Sequence, residues 1–190
     1  FNLLDKFKYI VPQGSPMSGI GNNYQVVSLS NCYVVGNDSD SYGGIMQLDQ
    51  EQAHLMKRRG GCGMDLSHIR PKGSPVKNSA LTSTGVVPFM ERYSNTTREV
   101  AQDGRRGALM LTIDVNHPDV ADFIDAKLDL GKVTGANISV KTNDEFMQCV
   151  VNDKDYLLRY PTNLQYNEIK NKLPKNIEKM FEYAEKLCKG

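Results

Sequence analysis

The sequence predicts an α/β fold whose sheet is at least partly parallel. Strand-like and helix-like stretches alternate along its 190 residues, the pattern of repeated β–α–β units. The helix-like stretches carry start and stop signals, and the strand-like ones are bounded by glycine, proline or asparagine. A chain of this length supports one domain with a real core.

The elements follow in order. Residues 1–24 read as loop, punctuated by Pro12, Gly14, Pro16, Gly19 and Gly21. Gln25 to Val35 reads as a valine-rich strand that ends at Gly36. Asp38, Ser39, Asp40 and Ser41 offer N-caps for a helix whose inner stripe is Ile45, Leu48, Leu55 and Met56, stopped by Gly60 and Gly61. A Gly- and Arg-rich loop continues to about Gly85. Pro88 suits the first turn of a second helix, with Phe89, Met90, Tyr93, Thr97 and Val100 on its stripe. Leu109 to Val115 reads as a strand. Asn116-His117-Pro118 opens a third helix with Val120, Phe123 and Ile124 inward, and Ala136 to Lys141 is a further strand. Thr142-Asn143-Asp144-Glu145 is a capping-box pattern ahead of Phe146, Met147 and Val150. After Pro161 the character changes: residues 162–190 are rich in Lys, Asn and Glu. Ile177, Met180, Phe181, Ala184 and Leu187 line one face of an expected helix after Pro174. The chain thus divides into residues 1–161 and a divergent, lysine-rich helical end, 162–190.

Composition excludes several classes. No run reaches the roughly 18–20 apolar residues of a membrane span. A net charge of +1 argues against a dedicated nucleic-acid binder. Four scattered cysteines without a CxxC pair, and only three histidines, argue against a structural zinc site and fit a reducing cytoplasm. The start lacks both a signal-peptide pattern and an initiator Met, so a processed or partial chain is expected.

Against that neutral background, cations cluster in two loops. One runs through Arg58-Arg59-Gly60-Gly61-Cys62-Gly63 and on to Arg70-Pro71-Lys72-Gly73-Ser74-Pro75-Val76-Lys77, and the other is Gln102-Asp103-Gly104-Arg105-Arg106-Gly107. Glycine lets backbone N–H groups come close to an anion, and arginine grips phosphate oxygens in bidentate fashion. The pair suggests a phosphorylated small molecule, with a nucleotide the leading candidate. Dipole-favoured, solvated charge is the alternative for Arg58 and Arg59.

The stretches Ser30-Asn31-Cys32-Tyr33-Val34-Val35, Asp40-Ser41-Tyr42-Gly43-Gly44-Ile45, Gly60-Gly61-Cys62-Gly63, Ile69-Arg70-Pro71-Lys72-Gly73-Ser74-Pro75, Gln102-Asp103-Gly104-Arg105-Arg106-Gly107-Ala108 and His117-Pro118-Asp119 resemble, in order and spacing, the large catalytic subunit of ribonucleotide reductases. The resemblance covers about residues 12–161 and is closest to the bacterial adenosylcobalamin-dependent branch. It implies a ten-stranded α/β barrel, with the helices at about 42–58 and 88–101 packing across a homodimer interface. It also implies an oxidoreductase that makes deoxyribonucleotides for DNA replication, replacing the ribose 2′-hydroxyl by hydrogen through thiyl-radical chemistry.

The resemblance further implies residue roles. Cys32 matches the cysteine that becomes half of the active-site disulfide, re-reduced by a thioredoxin-type partner. Ser15 and Asn31 match the substrate pocket, and Gly60, Gly61 and Gly63 match a glycine turn whose amides approach the substrate. Asp40, Ser41, Arg70 and Lys77 match the specificity site for a dNTP or ATP effector, with Asp40 on the sugar and Arg70 and Lys77 on the phosphates. Gln102, Arg105 and Arg106 match the loop that relays effector identity to the substrate base. The second reducing cysteine, the radical cysteine and the catalytic glutamate of the family have no counterpart after Asn163, and family chains are several times longer. A reductase segment without its radical machinery is therefore expected, with adenosylcobalamin serving the intact enzyme through residues outside this chain. The competing reading is a stand-alone nucleotide-sensing or dimerisation module without catalysis. Without the resemblance Cys32 reads as an inert strand cysteine, and Cys62, Cys149 and Cys188 read as packing residues with or without it. His117 reads as a helix-start residue.

Overall fold

The computed structural model describes residues 2–12, 14–100 and 107–163. The relay residues Gln102, Arg105 and Arg106, Cys188 and the helix expected after Pro174 lie outside the described residues. The elements are α1 (Ser15–Gly19), β1 (Cys32–Val34), α2 (Tyr42–Met56), β2 (Gly61–Asp65), α3 (Val87–Glu99), β3 (Leu109–Asp114), α4 (Val120–Asp125), β4 (Asn137–Lys141) and α5 (Asp144–Val151). The strands form one sheet in the order β1-β2-β3-β4, and every neighbouring pair is parallel. Spatial order thus follows chain order without reversal. That is the winding of a barrel wall; a doubly wound sheet reverses direction at a switch point.

Local chemistry explains the helix starts. The Ser41 hydroxyl accepts from the Gly44 N–H at 3.2 Å and caps α2. The Asn143 side-chain oxygen accepts from the Phe146 N–H at 2.8 Å and caps α5. Pro88 lies in the first turn of α3, where its missing N–H leaves no bond unmade. The connections place α2, α3 and α4 on one face of the sheet. Ile45, Leu48, Met56, Met90, Tyr93 and Phe123 of these helices pack there against Cys62, Met64, Leu109, Leu111 and Ile113 of the strands. Between α2 and α3 the contact turns polar. The buried Gln52 donates to the Tyr93 carbonyl at 2.9 Å and the Thr97 hydroxyl at 2.8 Å, and the Tyr93 hydroxyl donates to the Ile45 carbonyl.

Alternation puts the other half of the strand residues on the second face. Cys32, Val34, Met110, Asn137, Ser139 and Lys141 point that way and are exposed, Val34 at 95%. Parallel sheets are normally covered on both sides. Among the described residues this one is covered on one.

Several sequence expectations change. The strand expected over Gln25 to Val35 contracts to Cys32–Val34, because the chain before it bonds outside the sheet, with the Ser28 N–H on the Arg58 carbonyl. The first 24 residues hold a 3₁₀ turn at Asp5–Phe7 and the short α1. Gly60 to Gly63, expected as a loop, runs into β2 in the middle of the sheet. A Cβ on Gly61 would sit 3.2 Å from the Ala108 Cβ and 3.4 Å from the Asn31 carbonyl oxygen, so glycine is what lets these segments close up. Ile124, expected inward, is 46% exposed. The α5 stripe also faces outward, with Met147 at 49% and Val150 at 58%. Among the described residues, Phe146 meets the edge of the Tyr156 ring, at 5.2 Å between ring centroids.

The β3–α4 turn ties the fold to the loop after β2. Asp119, buried, accepts from the Lys72 N–H through both carboxylate oxygens at 3.1 Å and from the Val86 N–H through Oδ2 at 3.1 Å. One carboxylate therefore holds both ends of the lobe 72–86. Gly85 passes so close, with φ +80°, that a Cβ there would lie 2.5 Å from Asp119 Oδ2. His117 is fully buried; its Nε2–H donates to the Ile69 carbonyl at 2.7 Å, and its Nδ1 accepts from the Asp119 N–H at 3.0 Å. Burial lowers the His117 pKa against the pull of the Ile69 carbonyl, so the imidazole is neutral and serves as the helix-start residue expected of it.

Candidate functional site

The first site gathers around the N-terminus of α2. Asp40 and Ser41 lead into the helix, Arg70 follows β2, and Lys77 sits on the lobe between them. These residues, distant in sequence, line one cavity of about 240 Å³, with Tyr42 and Phe89 forming an aromatic wall. The lobe is a small hairpin: Pro75 bridges Thr82, the Val76 N–H donates to the Leu81 carbonyl, and the Ser83 N–H donates to the Ser74 carbonyl. The four residues expected at a specificity site are thus brought together.

Inside this cavity, Arg70 is held on two sides. Its Nε donates to Asp40 Oδ2 at 2.5 Å and its Nη1 to the Pro75 carbonyl at 2.8 Å. Both side chains of the ion pair keep contact with solvent, 35% for Arg70 and 27% for Asp40. The Asp40 hydrogen bond raises the Arg70 pKa further, against its burial. Ser41 is engaged by the Gly44 N–H and by the Ser39 hydroxyl at 2.8 Å.

The second site lies on the open face of the sheet. Cys32, Gly61, Gly63, Met110 and Asn137 line a shallow cavity of about 280 Å³. Cys32 is exposed at its edge, on β1. Cys62 belongs to the opposite face: it pairs in register with Tyr33, the neighbour of Cys32, and is 5% exposed. Burial, with a smaller contribution from the nearby Cys32, pushes the Cys62 thiol up to about 11, so it stays protonated. That is the behaviour of a packing residue. Cys149 is half-buried on α5.

The glycines play a different physical part from the one expected. The Gly61 N–H is taken by the Asn31 carbonyl at 2.7 Å, and the Gly60 N–H by the Leu55 carbonyl at 3.1 Å. What Gly61 offers the cavity is therefore space, not a donor. Gly60 lies away from the cavity, with the Tyr33 ring 2.9 Å from where its Cβ would be. Gly63 differs from both. A Cβ there would meet only the Tyr33 carbonyl, at 3.9 Å, and its φ is not positive. Nothing inside the described fold requires glycine at that position.

Asn31 joins the second site to α1. Its Oδ1 accepts from the Ser15 N–H at 2.7 Å, and it packs against Gly14. The Ser15 hydroxyl is 1% exposed as a residue and has no hydrogen-bond partner among the described residues. A buried unpaired hydroxyl costs about 1–3 kcal/mol, which marks it for a partner.

A third cavity, of about 910 Å³, escaped the sequence reading. It lies beyond the C-terminal ends of the strands, where Asp65, Ser67, His68, Asp114, Lys141 and Tyr160 converge. Asp65 pairs with Lys141, and these donors with those of Ser67 outweigh burial to lower its pKa. The segment after α5 closes this rim: the Arg159 N–H donates to the Asn116 carbonyl, and the Tyr160 hydroxyl donates to the His68 carbonyl at 2.6 Å. The signal available in sequence was the general tendency of open α/β sheets to form crevices at these strand ends.

Comparison with known proteins follows the same residues. The family model of the ribonucleotide reductase barrel domain matches residues 30–189. A vitamin B12-dependent ribonucleoside-diphosphate reductase of Mycobacterium tuberculosis (strain CDC 1551 / Oshkosh) is 36% identical over 124 residues, covering 64% of this chain and 18% of the relative. One with the same description from Thermoplasma acidophilum is 35% identical over 149 residues, covering 77% and 19%. A ribonucleoside-diphosphate reductase large chain of Cryptosporidium parvum is 28% identical over 168 residues, covering 85% and 21%. The chain spans about a fifth of the length of these relatives.

Proposed function

Because the chain belongs to the ribonucleotide reductase family, as part of the barrel domain of the large subunit, we propose that it supplies a nucleotide effector site and one wall of the substrate site to an enzyme that reduces ribonucleotides. The observation that carries this reading is the meeting of Asp40, Ser41, Arg70 and Lys77 around one cavity. Lys77 and Arg70 would take phosphates, and Asp40 would accept from a sugar hydroxyl. Residues 1–161 hold both cavities.

In the substrate site, Cys32 would supply one of the two thiols that become a disulfide as the 2′-hydroxyl leaves as water. Its exposure on the open face supports that role. Ser15 and Asn31 would flank the substrate, and Gly63 would let it lie close to the sheet. Gln102, Arg105 and Arg106 would pass effector identity to the substrate base. Adenosylcobalamin is proposed for the intact enzyme because relatives of that description match, and no residue of this chain is assigned to it. A homodimer through α2 and α3, a thioredoxin-type reductant and a cytoplasmic location complete the proposal.

Calorimetry on the full chain with dATP, dTTP, dGTP and ATP tests the effector site. Binding of at least one is expected, and occupancy at 100 times Kd would stabilise the fold by about 2.7 kcal/mol. Arg70→Ala is expected to weaken that binding ~10- to 100-fold, at 1.4 kcal/mol per decade. No binding by any of the four removes the effector reading, and unchanged affinity in Arg70→Ala removes Arg70 from it.

Gly63→Ala separates ligand space from folding. The added methyl meets no close neighbour, so stability is expected to hold or rise by up to ~1 kcal/mol. Substrate kcat/KM of the intact enzyme is expected to fall at least ~10-fold, as a misplaced reacting group predicts. Normal kinetics would place the substrate away from β2.

A further inference from the structure

Resting on the nucleotide reading of this cavity, we propose that the Asp40–Arg70 ion pair is a clasp that makes the site take nucleotides in preference to bare polyphosphates. A carboxylate is a poor choice for a site built only to hold phosphate. It lowers the affinity of its neighbours Arg70 and Lys77 for every anion. Here it does more than sit nearby. Asp40 Oδ2 occupies the Nε edge of the guanidinium at 2.5 Å, while the Pro75 carbonyl occupies Nη1 at 2.8 Å.

An inorganic polyphosphate that approaches Arg70 must compete with a carboxylate already in charge-assisted contact. It carries no sugar hydroxyl to give Asp40 in return, so the carboxylate is left beside the incoming anion. A nucleotide offers an exchange. Its sugar hydroxyls donate to Asp40 as its phosphates take the guanidinium, and each partner ends with a hydrogen bond. The exchange is open to solvent, with the two side chains 35% and 27% exposed. An ion pair of that exposure contributes little to folding, so removing it changes selectivity and leaves the fold in place.

The test compares inorganic tripolyphosphate with the deoxynucleoside triphosphate that binds the full chain best, by calorimetry on Asp40→Asn and Asp38→Asn. Asp38 lies two residues upstream, on the rim of the neighbouring cavity, and removes the same formal charge without touching Arg70. Asp40→Asn is expected to tighten tripolyphosphate ~10-fold, the gain of a freed charge-assisted donor, while Asp38→Asn moves it by less than ~2-fold. The deoxynucleotide is expected not to tighten in Asp40→Asn, so its advantage over tripolyphosphate shrinks. Equal effects of the two substitutions on tripolyphosphate, with deoxynucleotide binding intact, overturn the clasp and leave the effector site standing. Loss of all deoxynucleotide binding in the unsubstituted chain overturns both.

Discussion

Replacing Cys32 with serine is expected to reduce multiple-turnover deoxynucleotide formation by the intact enzyme at least ~10³-fold, the scale seen when a group that itself changes covalently is removed. Serine fills the same volume and cannot form a disulfide, so the chemistry loses its reductant while the sheet keeps its shape. The position favours a clean result. Cys32 is exposed on the open face, bordering a cavity floored by Gly61 and Gly63, and no packing contact of the helix-side core depends on it. The same substitution at Cys62 gives the contrast. That thiol is buried and pushed up to about 11, so Cys62→Ser should cost stability, through an unpaired hydroxyl, and spare turnover once folded. Steady-state assays with a dithiol reductant, beside thermal melts of both variants, check the pair. Sustained turnover in Cys32→Ser would take this residue out of the chemistry.

Asp119→Ala is expected to lower stability by about 3–5 kcal/mol, since it removes a charged acceptor and strands two backbone donors, each worth about 1–3 kcal/mol when buried and unpaired. The Val86 N–H has no water to turn to, because Val86 is fully buried. Lys72 loses both of its bonds to the carboxylate. The loss reaches beyond stability. The lobe between these two residues carries Lys77 and shapes the cavity beside Arg70, so nucleotide affinity should fall in the fraction that remains folded. Asp119→Asn keeps one acceptor oxygen but turns an amide towards a backbone N–H, and an intermediate loss is expected. Denaturant titrations of both variants measure the first effect, and calorimetry in native buffer measures the second. An unchanged midpoint in Asp119→Ala would mean that the lobe is held by its own hairpin.

Much of this was legible in sequence where the signals are local. Ser41, Pro88 and Asn143 announce their helices because a cap or a missing N–H acts within one turn. The cavity around Asp40, Ser41, Arg70 and Lys77 was legible only through motif order, since nothing in the spacing from 40 to 70 places two residues together. β2 was not legible. Gly60-Gly61-Cys62-Gly63 has the composition of a turn, and Gly61 to Gly63 are strand because Asn31, Tyr33 and Ala108 close on them from both sides. Ile124 turns outward for a related reason: periodicity says which residues share a face, and only tertiary packing says whether that face is covered. Asp119 read as part of a motif without a task, because its partners at Lys72 and Val86 lie far back along the chain.

A sheet whose spatial order repeats its chain order has a consequence for how the polypeptide is made. Each strand finds its partner in the strand translated just before it, so β1 to β4 can be laid down in sequence as the chain leaves the ribosome, with each crossover helix sealing one side behind it. The last strand added always presents a free row of backbone donors and acceptors, and the unsealed side presents Val34 and Met110 to whatever is near. During synthesis that growing margin is both the template for the next strand and the place where a stalled chain would stick to another. Slowing translation after Lys141 should therefore raise aggregation of nascent chains more than slowing it before β1.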